Sequence, residues 1–328
     1  MHIGRSYALT EFVRWTRRKS YILLAVATAQ VAAYQLLEWR WIAMPWAVAA
    51  MLGTAASFIV GFKNAQTYAR TTEAQQIWSG ITSSSRYWGL ISRDFPPQAA
   101  HTMALIRRHL AWLTAVRYQL RASKVWEAAA NQYNFEYSKR SYKVAEHETA
   151  LAVALTPYLD AELAAVVAQS ASPANTLLAL QSAAIKELYV AEQVPVLQHM
   201  EMQKTLKDFI DLHSRAERIK NFPYPRQYAI IHTIFVWSFA LLLPLGVVKE
   251  FDKLGEGMAW LAVPFSVLIA WMYVSLDQVG ESTENPFEGG ANDVPITHIC
   301  HAIECDLRHL LGEAPPAAAP QLNQHLIL

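Results

Sequence analysis

The sequence predicts an all-α integral membrane protein with four transmembrane helices per subunit and a large helical cytosolic region. Three observations predict it. Four apolar stretches approach the ~20 residues a helix needs to cross a bilayer. Elsewhere apolar residues recur every three or four positions, with no alternating strand pattern and no Asn-Gly hairpin signal. Of 328 residues, 53% are apolar and only 17% charged, where soluble domains carry about a quarter. A net charge of +1 gives no electrostatic case for nucleic-acid binding. The two cysteines, Cys300 and Cys305, form no readable disulfide framework and suit a reducing cytosol.

Residues 1–20 form a cytosolic N-terminal segment. A first transmembrane hairpin covers 21–62: "YILLAVATAQVAAYQLL" (21–37), then "PWAVAAMLGTAASFIVGF" (45–62), opened by a proline that suits a first helical turn. A cytosolic helical domain follows over 63–226. Within it "HTMALIRRHLAWLTAVRYQL" has amphipathic spacing, and 173–221 reads as two or three helices with a break near Pro195. The second hairpin covers 227–276 and holds "IIHTIFVWSFALLLPLGVV" (230–248) and "MAWLAVPFSVLIAWMYVSL" (258–276). A cytosolic helical segment (277–312) and a Pro/Ala-rich tail (313–328) complete the chain.

Basic residues set the orientation. Arg14, Arg17, Arg18 and Lys19 precede the first span, and Arg215, Arg218, Lys220 and Arg226 precede the third. The short opposite loops hold only Arg40, Lys249 and Lys253, so both termini are expected in the cytoplasm. Trp39, Trp41 and Trp46 fall where an interfacial aromatic belt belongs. "RRKSYILLAVATA" imitates a signal peptide, but its basic region starts late and three further spans would hold the chain in the membrane regardless.

The stretch "GFKNAQTYAR" (61–70) carries the functional reading. An apolar run ends on Gly-Phe and passes without a breaker into polar residues, so the helix is expected to continue beyond the bilayer beside water. Residues four apart share a helix face, which puts Thr54, Phe58 and Phe62 in one stripe continuing to Gln66 and Arg70. Gly53, Ala55, Ala56, Ser57 and Gly61 are small and admit a close neighbour. Spacing alone fits either ordinary helix packing or a wall around a pore.

Four blocks in order, "FIVGFKNAQTYARTTEAQQIW" (58–78), "ERIKNFPYPRQY" (217–228), "LLLPLGVV" (241–248) and "ENPFEGGANDVPITHICHAIE" (284–304), resemble the bestrophin family, and most closely its bacterial branch, from about residue 10 to 311. That resemblance implies a pentameric channel with one axial pore. The second transmembrane helix would line a narrow neck above a cytosolic vestibule that ends in a second constriction. Carried onto this chain, the neck rings are Thr54, Phe58 and Phe62; Thr54 stands where the family usually has an aliphatic residue. Lys63, Gln66 and Arg70 become candidates to line the vestibule. The lower aperture falls near Met200, with Val194 and Val196 as alternatives. Where eukaryotic members carry an acidic calcium clasp, Glu284, Glu288 and Asp293 are spread apart, so a structural turn is expected and no cofactor is implied.

The expected partners are four further copies of the chain, membrane lipid and permeant inorganic ions, chloride foremost, in a bacterial inner (plasma) membrane. A cation-conducting (sodium-type) channel of the same build is the alternative, and a non-conducting scaffold or sensor a second. The sequence has no HExxH, GxSxG or Gly-rich phosphate loop, so an enzyme is not expected. His298, His301, Cys305 and His309 share a helix face with zinc-compatible chemistry, but one straight helix rarely wraps a tetrahedral ion, and a packed polar face is expected. His232 and Asp277 stand out as polar groups near membrane-span ends.

Overall fold

A computed structural model describes residues 1–4, 7–316 and 326–328. In chain order the helices are α1 (Leu9–Leu36), α2 (Trp46–Asp94), α3 (Ala99–Arg121), α4 (Gln132–Ser141), α5 (Ala145–Glu148), α6 (Leu151–Leu155), α7 (Ala161–Gln169), α8 (Pro173–Val190), α9 (Val196–Asn221), α10 (Arg226–Asp252), α11 (Ala262–Ser282) and α12 (Ile296–Leu310). Among the described residues there is no strand, only an isolated bridge between His2 and Leu326.

α2 is the spine. Its 49 residues contain no internal proline, so the helix runs about 74 Å at 1.5 Å per residue before Pro96 and Pro97 end it. Its upper half packs into a membrane-level core with Leu23 of α1, Val236, Phe239 and Leu243 of α10, and Ala270 and Val274 of α11. Gly53 is required there, because a Cβ would come within 2.9 Å of the Phe239 ring. Its lower half contributes Ile77, Trp78, Ile81 and Trp88 to a second core, shared with Leu105 and Trp112 of α3, Leu177 of α8, Phe209 of α9 and Leu307 of α12. One rigid helix therefore couples both cores.

Among the described residues, three helical segments are long and apolar enough to cross a membrane: α2, α10 and Met258–Ser282. α1 is helical through the first expected span, but Thr28, Gln30, Tyr34 and Gln35 dilute its apolar run, and it is not among the three. It lies alongside α10 and α11, burying Leu23, Ala27 and Val31. The two hairpins are tied at the far side from α4. The Tyr34 hydroxyl donates to Asp252 Oδ2 (2.9 Å), Gln35 Nε2 donates to Oδ1 (3.1 Å), and Arg40 pairs with Oδ2 at 2.6 Å. At the other end Arg17 and Arg18 of α1 pair with Glu136 of α4 at 2.6 and 2.5 Å.

α9 runs antiparallel to the lower part of α2. Arg218 pairs with Glu73, Leu212 packs over Gly80, and the Tyr87 hydroxyl donates to Glu201 Oε1 at 3.0 Å. α8 ends at Val190 and Pro195 immediately precedes α9, so the two helices are separated by a break at the proline.

Candidate pore-lining face

The two sides of α2 differ sharply. Ala49, Gly53, Ala56, Val60, Lys63 and Thr67 are buried within the subunit at three- and four-residue spacing, with Ala74 two turns further on. On the opposite side Phe58 is 76% and Phe62 54% exposed, although both are large and apolar. Thr54, Ser57, Gly61 and Ala65 are exposed with them. These residues border an open groove of about 780 Å³, closed on its far wall by Phe239 and Leu243 of α10 and Tyr273 of α11. Both rings stand largely uncovered by the described residues of one subunit. The Thr54 hydroxyl donates to the carbonyl of Ala50 (2.9 Å), which spends its donor on the helix's own backbone and leaves its methyl as the apolar group of that position.

Below Phe62 the row read from the sequence turns off this face. Four residues advance an α-helix by about 400°, so an i, i+4 row drifts about 40° per step. Thr54, Phe58 and Phe62 stay within the open face, and Gln66 is exposed at its edge. One step further, Arg70 has rotated into the protein. Its Nε donates to the carbonyl of Glu284 (3.0 Å), Nη1 to that of Phe222 (3.0 Å) and Nη2 to that of Ile219 (2.9 Å). Arg70 is thus a clamp on the end of α9, and the expectation that it lines a vestibule is corrected.

Lys63 is corrected on different ground: it follows Phe62 directly and so points about 100° away from the open face. It is 3% exposed, and its Nζ donates to Asp277 Oδ1 at 2.7 Å. The exposed face continues instead through Ala65, Ala69 and Gln76. Counting by 3.6 rather than by four would have found them.

At the lower end Val194 is 1% exposed and belongs to the second core, which removes it as an aperture candidate. Val196 (52%), Leu197 (77%) and Met200 (62%) are all exposed on the first turns of α9. Leu197 was missed in the sequence because a lone leucine after Pro195-Val196 reads as core. Tyr87 of α2, bonded to Glu201, stands 25 residues after Phe62, about 38 Å further along the same helix.

The acidic residues after α11 go to separate partners. Glu284 Oε1 accepts from Arg226 Nη2 (2.8 Å). Glu288 accepts from Asn285 Nδ2 (2.9 Å) and the Ala129 N–H (2.6 Å), while Asp293 Oδ2 accepts from the N–H groups of Gly289 and Gly290 (2.7 and 2.8 Å). Gly289 has φ of +97°, a conformation glycine adopts without strain. Burial first, then the charge of Asp293, pushes the Glu288 carboxyl up to about 8. On α12, Cys305 Sγ lies 3.7 Å from His301 Nε2, and burial pushes Cys300 up to about 12. Among the described residues no three His, Cys, Asp or Glu side chains are placed to hold a metal ion.

The bacterial/fungal bestrophin family profile matches residues 16–309. The voltage-dependent anion channel-forming protein YneE of Salmonella typhi is 25% identical over 295 residues, covering 90% of this chain and 85% of its own length. Its namesake in Escherichia coli K12 is 27% identical over 276 residues, covering 84% and 80%. The crystal structure of a bacterial bestrophin homologue from Klebsiella pneumoniae superposes with a TM-score of 0.76 at 22% identity, over 90% of this chain and 98% of that one, and so shares the fold. With a family match spanning both cores and the bare face of α2, the chain belongs to the bacterial/fungal bestrophin family.

Proposed function

We propose that the chain is one subunit of a homopentameric anion channel in which α2 from each copy surrounds a shared axis. The observation that carries this is the bare Phe58–Phe62 face on a helix whose other side is fully packed. Large exposed rings of this kind need a cover. The small residues beside them, Ser57, Gly61 and Ala65, let a neighbouring helix come close. Symmetry then turns Thr54, Phe58 and Phe62 into three stacked collars. A collar of phenyl groups and threonine methyls offers a partly dehydrated ion no hydrogen bonds, so it gates by dewetting. Ring edges carry partial positive charge and favour an anion where they face the axis. The names of the Salmonella and Escherichia relatives, voltage-dependent anion channel-forming proteins, support the sign.

Below the neck, Ala65, Ala69 and Gln76 give a vestibule wall without charge, and Leu197 with Met200 forms the lower collar. α1 serves as the fourth span. Its basic start is tied to α4 through Glu136, and the basic cluster before α10 lies on the same side, which supports a plasma-membrane protein with both termini cytoplasmic. Chloride is the favoured ion. Because none of the neck residues is charged, a cation-conducting pore of the same build is the second reading. Purified protein in planar bilayers under a salt gradient separates the two. A reversal potential near the chloride equilibrium value is expected; one near the cation value establishes the second reading, and electrical silence indicates a scaffold or sensor.

A further inference from the structure

We propose that Lys63 and Asp277 form a positioning pair that sets the rotation of α2 about its own axis and so aims Phe62 at the pore. This rests on the pore reading above. Lys63 follows Phe62 directly, so the two side chains leave the helix about 100° apart. Fixing one direction fixes the other. Lys63 Nζ donates to Asp277 Oδ1 at 2.7 Å and lies 3.4 Å from the Asp277 carbonyl oxygen, with the two side chains only 4% and 6% exposed. A rotation of α2 that brought Phe62 off the open face would have to pull the ammonium away from its buried partner.

α11 is shaped to receive this anchor. Gly280 lies against the Lys63 stem, where a Cβ would stand 3.4 Å from Lys63 Cε and 3.1 Å from Asn64 Oδ1. The same seam continues below. Asn64 Nδ2 donates to the Leu276 carbonyl (3.3 Å), Thr71 Oγ1 to the Thr283 carbonyl (3.4 Å), and Arg70 Nε to that of Glu284. Above Phe62 the packing of α2 changes character. Ala49 meets Gly246, Gly53 meets the Phe239 ring, and Ala56 and Val60 sit among Val236, Leu243 and Val274, with one long hydrogen bond, from the Tyr273 hydroxyl to the Gly53 carbonyl (3.4 Å), beside them. Apolar contacts of that kind are non-directional and tolerate a change of angle, whereas a short ion pair does not. The neck is thus held in rotation from below, by a charged pair that neither partner shares with solvent.

Stability is a poor explanation for such a pair. Desolvating two charges costs about as much as their attraction returns, and apolar replacements of similar volume are often neutral or stabilising. That property supplies the test. Lys63→Met/Asp277→Leu keeps a similar heavy-atom outline and removes the directional tie, and Lys63→Asp/Asp277→Lys restores a tie with the charges exchanged. Each is placed with Phe62→Cys in a Cys305→Ser background, Cys300 being buried. The readouts are bilayer current, particle size and thermal midpoint in detergent, and the rate at which a water-soluble methanethiosulfonate modifies the thiol introduced at position 62.

The apolar pair is expected to assemble normally yet be modified at least tenfold more slowly at position 62, and with Phe62 retained to change single-channel conductance severalfold. The exchanged pair is expected to return both within about threefold of wild type. Wild-type labelling and current in the folded apolar variant would overturn the proposal. So would an exchanged variant that assembles but does not recover. If neither variant assembles, the pair is a folding requirement and its positioning role is refuted. Silence of the wild-type protein sinks the channel reading alone, since the labelling comparison still reports the angle of α2.

Discussion

Arg70→Met strips the clamp that joins the end of α9 to α2. Arg70 gives three hydrogen bonds of 2.9–3.0 Å, to Ile219, Phe222 and Glu284. Two of those carbonyls belong to the last turn and C-cap of α9, where the helix itself supplies no donor. Hydrogen bonds to charged groups contribute about 1.5–3 kcal/mol each, so three at full strength come to roughly 5–9 kcal/mol. The guanidinium is half-buried, and water can replace part of what it donates, which brings the expected loss to about 2–4 kcal/mol. In a chain of this size about 2 °C of thermal midpoint follows each kcal/mol, so detergent-solubilised Arg70→Met should melt roughly 4–8 °C below wild type. Arg70→Lys should recover less than half of that, because an ammonium lacks the planar fork that reaches three acceptors. A midpoint within about 1–2 °C of wild type for Arg70→Met would refute the clamp and return Arg70 to the vestibule wall (about 0.5–1 kcal/mol by the same conversion).

Phe58→Ala and Phe62→Ala each remove a collar of the dry barrier, so reconstituted channels should pass severalfold more current; unchanged current in either would remove that residue from the neck. Leu197→Ala and Met200→Ala should alter current while leaving the melting midpoint close to wild type, since both are exposed in the subunit. Val194→Ala should do the reverse, costing about 1–3 kcal/mol in the second core with unchanged single-channel current. Burial, and after it the Asp293 charge, pushes the Glu288 carboxyl up from 4.5 to about 8, so its protonated form is the stabilising one. Its contribution is complete below about pH 4.5 and lost as pH rises through about 8. Glu288→Gln should therefore gain on wild type in melting midpoint across that window, and parallel curves would place the carboxyl at an ordinary pKa.

The open face of α2 was readable because helix geometry makes a local pattern of a three-dimensional property. An apolar stripe beside small residues is visible without knowing what it touches. The same counting failed at Arg70, where accumulated drift of the i+4 row carried the side chain across the helix. Lys63 came from the resemblance rather than from counting, and its partner lies 214 residues away and leaves no trace in local spacing. The unbroken passage of α2 beyond the bilayer followed from the lack of a proline between residues 46 and 95. At the lower end, exposure separates Leu197 and Met200 from Val194, and exposure depends on how α9 lies on its neighbours. Local sequence records hydrophobicity there but not direction. α1 shows the opposite limit: its length suits a span, while its glutamines and tyrosines find partners such as Leu241 and Asp252 only once the hairpins are assembled.

A side-chain-resolution image of the purified particle along the membrane normal addresses the shared axis directly. Five copies with Phe58 and Phe62 pointing into a central opening are the predicted result. Rings directed into lipid or into their own subunit, or particles without a central opening, would contradict it.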